Sequence, residues 1–173
     1  MVETFRVGQR MSHPVCYNRL MIIETEMTEE TLQPLFDLDG TLIKEVRDSK
    51  RLFDFTNPAA ILNLEESDLT PLGKLVRDSG KHVDILTARG NDSAWFIRMA
   101  LEKLNFNVGR VITVGVDVNE PADWAKVSSK RIVERKQRIV KWVMRKLVDN
   151  DPRNLDGLGE LGELVSEDQK EFN

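Results

Sequence analysis

The chain contains a single cysteine, Cys16. One thiol excludes an internal disulfide framework and any zinc site built on cysteines. No run of apolar residues approaches the roughly 18 that a membrane-spanning helix needs. Residues 1–14 lack the apolar stretch of a signal peptide. These absences predict a cytoplasmic, reducing setting and no membrane partner. Aromatic residues make up only 6%, too few for a base-stacking platform, so Trp95, Trp124 and Trp142 are expected in core or rim packing. The two histidines, His13 and His82, stand apart. His82 is read as the start of a strand rather than as a base. No sign of charge dominates: the net charge is -4, which argues against wholesale polyanion binding.

What is present is the balance of a globular domain, with 173 residues, 40% hydrophobic and 31% charged. A chain of this length needs no staples to bury a core. The charge is unevenly spread. Lys126 to Lys146 holds nine Lys or Arg against one acid, Glu134, and Leu155 to Asn173 holds six acids against one base, Lys170. Solvated helix faces explain both runs, and a positive rim near a phosphate site is the alternative for the first. The expected organisation is an extension over residues 1–31 of unassigned role, a domain over 32–165 and an acidic tail over 166–173. Cys16, in the weakly patterned extension, has no visible base and reads as an inert thiol.

The domain alternates strand and helix signals. Leu35 to Leu38 reads as a short buried strand ended by Asp39-Gly40. Thr70-Pro71 opens a helix from Leu72 to about Ser79, followed by Gly80. His82 to Leu86 is a second strand. Ser93 to Leu104 is a helix with Ala94, Ile97, Leu101 and Leu104 on one face. Arg110 to Val116 is a third strand, Ser128 to about Trp142 a helix, and Leu147-Val148 a fourth strand ending at Asp149. This spacing predicts an α/β fold, a parallel sheet flanked by helices, with ligands beyond the carboxyl ends of the strands.

Chemistry gathers at those ends. Asp37 and Asp39 are two residues apart, so both carboxylates leave an extended segment on one side. Together they would repel unless a hard cation such as Mg²⁺ sat with them. They also suit a division of labour between nucleophile and general acid–base. The alternative is an ordinary Asp-Gly turn. At the second strand end, the Thr87 hydroxyl could meet a phosphoryl oxygen, and Arg89 could add a charged fork for phosphate or a neighbouring group. Asp149 ends the fourth strand. Asp151-Pro152 after it reads as a helix cap, an acidic contribution to an oxygen cage, or both.

The run from Phe36 through Asp37, Leu38, Asp39, Gly40 and Thr41 to Leu42 resembles the first motif of the haloacid dehalogenase superfamily of phosphohydrolases, and the resemblance covers about residues 35–160. It implies a Rossmann-like core with little or no cap and a Mg²⁺-dependent phosphatase. It implies that Asp37 attacks phosphorus to form an aspartyl-phosphate. It also implies that Asp39 protonates the leaving group and then activates water. Thr87 matches the second motif, which holds the phosphoryl group, with Gly40, Ala88 and Arg89 as substrate-binding neighbours. Asp149 matches the acidic motif for Mg²⁺, to which Asp37 and the backbone carbonyl of Asp39 would add. Where the family often has two adjacent acids, this chain has Asp149-Asn150-Asp151, so either Asn150 or Asp151 stands in the second position.

The family also uses a lysine before the fourth strand. Lys126, Lys130, Lys136 and Lys141 are available. At 100° per residue from Ile132, Lys136 falls at about 40°, inside the apolar stripe of Val133, Ile139, Val140 and Val143, while Lys130 and Lys141 fall at about 160–180°. A lysine within a buried face is rare unless paired. Lys136 is therefore the expected partner of the carboxylates, with Lys126 second.

The 28 or so residues after Thr41 suffice for a flap or small hairpin rather than a cap domain. Asp117 to Val127 is a short loop. The expected site is open and takes a nucleotide or other small phosphomonoester. The rival readings are a phosphatase acting on nucleic-acid ends, drawn from the basic helix, and a non-catalytic binding module. Gly157 to Gly162 spells G-x-G-x-x-G, but no strong strand precedes it and no dinucleotide unit can follow it.

Overall fold

A computed structural model describes residues 33–45, 50–54, 56–115 and 129–166. The 1–31 extension, with His13 and Cys16, lies outside the described residues. So do the Asp117–Val127 loop, Trp124, Lys126 and residues 167–173 of the tail. Among the described residues no helix is long and apolar enough to cross a membrane.

Five parallel strands form one sheet in the order β3-β2-β1-β4-β5. They are β1 (Leu35–Phe36), β2 (His82–Thr87), β3 (Asn107–Thr113), β4 (Leu147–Asp149) and β5 (Gly162–Leu164). The helices are α1 (Pro71–Asp78), α2 (Ala94–Lys103), α3 (Ser129–Val143) and the single turn α4 (Pro152–Leu155). The architecture is α/β, an all-parallel sheet flanked by helices and compatible with a Rossmann-like fold.

Strand periodicity assigns the two faces. Phe36, Ile85 and Val148 pack with Leu72 and Val76 of α1 and Ile97, Ala100 and Leu101 of α2. Their sequence neighbours Leu35, Leu86 and Leu147 pack on the other face with Ile132, Ile139, Val140 and Val143 of α3 and Leu155 of α4. Fully burying a side chain of this kind contributes about 1.5–3 kcal/mol. Below the sheet's functional end, Asp84 is buried in β2 and accepts hydrogen bonds from Arg145 and from the Arg110 backbone N–H. Burial alone would raise its pKa, but the Arg145 guanidinium, the Arg110 backbone N–H and the Arg110 charge together outweigh that and hold it below the usual carboxylate range.

Three strands depart from the sequence reading, and so do two tryptophans. β1 is two residues long because the chain turns at once: Leu42 and Ile43 both donate backbone N–H bonds to the Leu38 carbonyl. β3 starts three residues early, at Asn107. Asn105 adopts φ +66 straight after α2, returning the chain to the sheet before the β-branched run begins. β5 is a strand where the sequence showed only a glycine repeat. Gly157 and Gly159, at φ +70 and +56, turn the chain so that Gly162 enters the sheet edge. Trp95 and Trp142 are exposed rather than in the core.

The stretch between β1 and α1 is no hairpin. Its described residues form short 3-10 turns, Pro58–Asn63 and Glu66–Asp68, and bury Leu52, Ile61 and Leu64 in the α1–α2 core. The N-terminus of α1 sits on the turn after Asp39. The Thr70 N–H donates to the Leu42 carbonyl at 3.1 Å. A Cβ at Gly73 would come within 2.0 Å of the Leu42 oxygen, so only glycine permits that approach.

Candidate active site

The β1–β4 register brings two carboxylates side by side. Leu35 pairs with Leu147 and Phe36 with Val148, and the Asp37 N–H continues the ladder to the Val148 carbonyl at 2.9 Å. Asp37 therefore emerges next to Asp149. Lys136, projecting from α3, completes the group. Its Nζ lies 2.6 Å from Asp37 Oδ1 and 2.8 Å from Asp149 Oδ2. Its side chain is only 2% exposed. The apolar stripe of α3 seats on the sheet and carries this lysine in with it.

Asp149 is held from every side. Its Oδ1 accepts the Asp151 N–H at 2.8 Å, and its Oδ2 also accepts from the Asn154 amide at 2.8 Å. One ammonium is thus shared by two buried carboxylates. Burial opposes the charge on Lys136, but Asp37 and Asp149 outweigh it and raise its pKa further above the lysine value. Asp37 is the carboxylate left short of positive charge. Burial raises its pKa; Lys136 lowers it; Asp149 and Asp39 add repulsion; the net result is a pKa of about 7.

Asp39 sits at the tip of the next turn. Gly40, at φ +80, lets the chain reverse, and its N–H donates to the Ile43 carbonyl at 2.7 Å. A Cβ there would fall 2.2 Å from the Asn150 amide nitrogen. Asn150 in turn donates its N–H to the Thr41 hydroxyl at 3.1 Å. The Asp39 carboxylate meets Arg89 edge on: Nη2 to Oδ1 at 2.7 Å and Nε to Oδ2 at 3.0 Å.

These groups line a cavity of about 240 Å³. Of the residues anticipated from sequence, Asp37, Asp39, Ala88, Arg89, Lys136 and Asp149 lie on its wall. Thr87 and Gly40 do not. Thr87 is fully buried because β2 runs through it, and its hydroxyl accepts the Arg89 N–H at 3.3 Å. The Gly40 N–H is taken by Ile43, so its part in the site is conformational. Arg89, anticipated as a fork for phosphate or a neighbouring group, is paired with Asp39. Sequence reasoning missed Asn154, Phe53, Ile132, Val133, Glu45 and Arg153 on the wall. Asn154 alone had a signal: it lies one turn after the Asp151-Pro152 helix start, facing back to Asp149. Asp151 does cap α4, accepting the Arg153 N–H at 3.0 Å, and it pairs with the Arg153 side chain.

No protein-family model matches the chain, and no curated protein or solved structure matches it closely enough to carry an argument.

Five carboxylates on the wall (Asp37, Asp39, Glu45, Asp149 and Asp151) face three cations, Arg89, Lys136 and Arg153. That excess of negative charge, with an oxygen-only donor set, fits a hard divalent cation. Among the described residues no three His, Cys, Asp or Glu side chains are grouped to hold a metal by themselves. Mg²⁺ does not require such a cage, since it commonly uses one or two carboxylates and keeps waters or substrate oxygens.

Proposed function

We propose that the protein is a Mg²⁺-dependent phosphomonoesterase of the haloacid dehalogenase kind, working through an aspartyl-phosphate on Asp37. The observation that carries this reading is the Lys136 ammonium bridging Asp37 and Asp149, with Asp39 two residues beyond the nucleophile. Mg²⁺, held by Asp37, Asp149 and the Asp39 backbone carbonyl, would neutralise charge on the transferring phosphoryl group. Asp37 attacks phosphorus through a carboxylate oxygen. Lys136 offsets the charge of the nucleophile and of the incoming phosphoryl oxygens. Asp39 gives a proton to the leaving oxygen as the phosphorus–oxygen bond breaks, then takes one from the water that releases phosphate.

A cavity of about 240 Å³ is smaller than the roughly 300–1,000 Å³ of pockets that enclose drug-sized ligands, which favours a small phosphomonoester, or a nucleotide whose phosphate alone is enclosed. The reading as an end-processing phosphatase rests on the exposed basic residues of α3, Lys130, Arg131, Arg135, Arg138 and Lys141. It predicts salt-sensitive cleavage of 3′- or 5′-phosphorylated oligonucleotides over mononucleotides.

The test is hydrolysis of para-nitrophenyl phosphate with Mg²⁺, with EDTA, and by Asp37→Asn. We expect turnover that requires both metal and Asp37, with a loss of at least about 10³-fold in the variant, since removing a covalent nucleophile costs this much or more. A folded, Mg²⁺-supplied protein that releases no phosphate from this substrate, mononucleotides or phosphorylated oligonucleotides would favour the binding-module reading.

A further inference from the structure

Arg89 spends its donors in an unusual way for a residue on a phosphate site. Its side chain is 4% exposed. Nε and Nη2 take the two oxygens of Asp39, and Nη1 donates to the Leu52 backbone carbonyl at 2.8 Å. The guanidinium carbon stands 5.1 Å from the centre of the Phe53 ring, a cation–π distance. Phe53 is itself on the cavity wall. One planar group therefore joins the end of β2, the Asp39 carboxylate and the 50–54 segment.

This geometry has a consequence for Asp39. A carboxylate has about four lone-pair directions, and an edge-on guanidinium occupies two of them. The remaining two are fixed in direction by the same plane. With both oxygens pinned, the carboxylate cannot spin about its last bond. The guanidinium pairs with its ionised form, so the proton that Asp39 gives the leaving oxygen is first taken from solvent onto one of the two remaining directions, whose aim Arg89 sets. Three of the five Arg89 N–H donors are spent on these contacts, and the side chain is 4% exposed, so any phosphate contact by Arg89 is confined to the two N–H groups that remain.

We propose that Arg89 is a positioning residue that acts through Asp39, and that it couples the aim of this carboxylate to the segment carrying Leu52 and Phe53. The inference rests on the phosphatase reading for its kinetic meaning, while the coupling itself does not. Lysine cannot replace it, because an ammonium has no planar fork to hold two oxygens and a carbonyl together.

Leaving groups separate the two roles. Para-nitrophenolate departs with little help from an acid, whereas an alkoxide needs a proton. In Arg89→Ala and Arg89→Lys, kcat/KM for an alkyl phosphate should fall by about 10²-fold or more, the low end of what a positioned acid contributes. For para-nitrophenyl phosphate the fall should stay below about tenfold. Equal falls on both substrates with a raised KM would place Arg89 on the phosphate and overturn the proposal, as would no fall on either.

A second readout needs neither metal nor turnover. With 4-fluorophenylalanine incorporated and Phe53 assigned through Phe53→Leu, the Phe53 fluorine resonance should shift in Arg89→Ala and also in Asp39→Asn. A resonance that ignores Asp39→Asn would overturn the coupling. If the wild-type protein hydrolyses nothing, the phosphatase reading fails, and the fluorine measurement still decides whether Arg89 joins Asp39 to Phe53.

Discussion

Lys136→Met is expected to abolish phosphate release and to cost about 3–5 kcal/mol of stability at neutral pH in EDTA, the range for removing one partner of a buried ion pair. Methionine is one atom shorter than lysine but nearly equal in volume, so little cavity term enters. What is lost is the ammonium lying 2.6 Å from Asp37 and 2.8 Å from Asp149, leaving two buried carboxylates face to face. Two further measurements separate charge from packing. Adding Mg²⁺ should restore part of the stability but no activity. Lys136→Met combined with Asp37→Asn should be more stable than Lys136→Met alone, because the second change removes the carboxyl that must take up a proton or carry an unpaired charge once the ammonium is gone. Denaturant unfolding of the four proteins checks this. A loss below about 1 kcal/mol for Lys136→Met would mean that the ammonium is not what holds the carboxylates together.

The second large effect is a pH dependence centred on Asp37, whose pKa is raised from 3.8 to about 7. The folded protein then binds this proton more tightly than the unfolded chain does. Its contribution to stability is fully present below about pH 4, where both states are protonated, and is lost as pH rises towards 7. Asp84 and Asp151, with lowered pKa values, work in the opposite direction. The contribution of Asp37 is therefore read as a difference between the wild type and Asp37→Asn. In EDTA the variant should gain roughly 2–3 kcal/mol relative to the wild type between pH 5 and pH 8. Saturating Mg²⁺ should remove most of that gain by giving the ionised Asp37 a cation. A constant difference across this pH range would show that Lys136 already satisfies Asp37.

Much of the site was legible because its parts follow simple periods. Asp37 and Asp39 reach one cavity as their spacing suggests, although the chain turns after Phe36 instead of running extended through Asp39. A 100° step chose Lys136 from four lysines, and the structure sets its Nζ between Asp37 and Asp149. Thr70-Pro71 and Asp151-Pro152 marked helix starts that the side chains do cap. The alternation of strands and helices was enough for the parallel sheet.

The remainder depended on contacts distant in sequence. The link from Arg89 to Asp39 spans 50 positions, and no local pattern distinguishes an arginine that binds phosphate from one that binds a neighbouring carboxylate. β5 is three residues long and begins at a glycine; it is a strand because β4 offers it an open edge. Residues 50–64 carry scattered apolar side chains without a period, and the core formed by α1, α2 and the sheet gives Leu52, Ile61 and Leu64 a surface to cover. The sequence pattern ends the second strand at Leu86 and leaves the Thr87 hydroxyl to meet a phosphoryl oxygen, but pairing with Thr113 extends the sheet through Thr87 and buries its side chain.

The central claim is that Asp37 becomes covalently phosphorylated, and trapping that species is the most direct test. Asp39→Asn should still be phosphorylated by para-nitrophenyl phosphate and Mg²⁺, because that leaving group needs no proton, but should release phosphate slowly. Rapid acid quenching followed by peptide mass spectrometry should then find a hydroxylamine-sensitive phosphoryl group on Asp37, absent when Asp37→Asn is added. Phosphate released in a burst of turnover with no modified Asp37 in the quenched protein, or a phosphoryl group on another residue, would contradict the account.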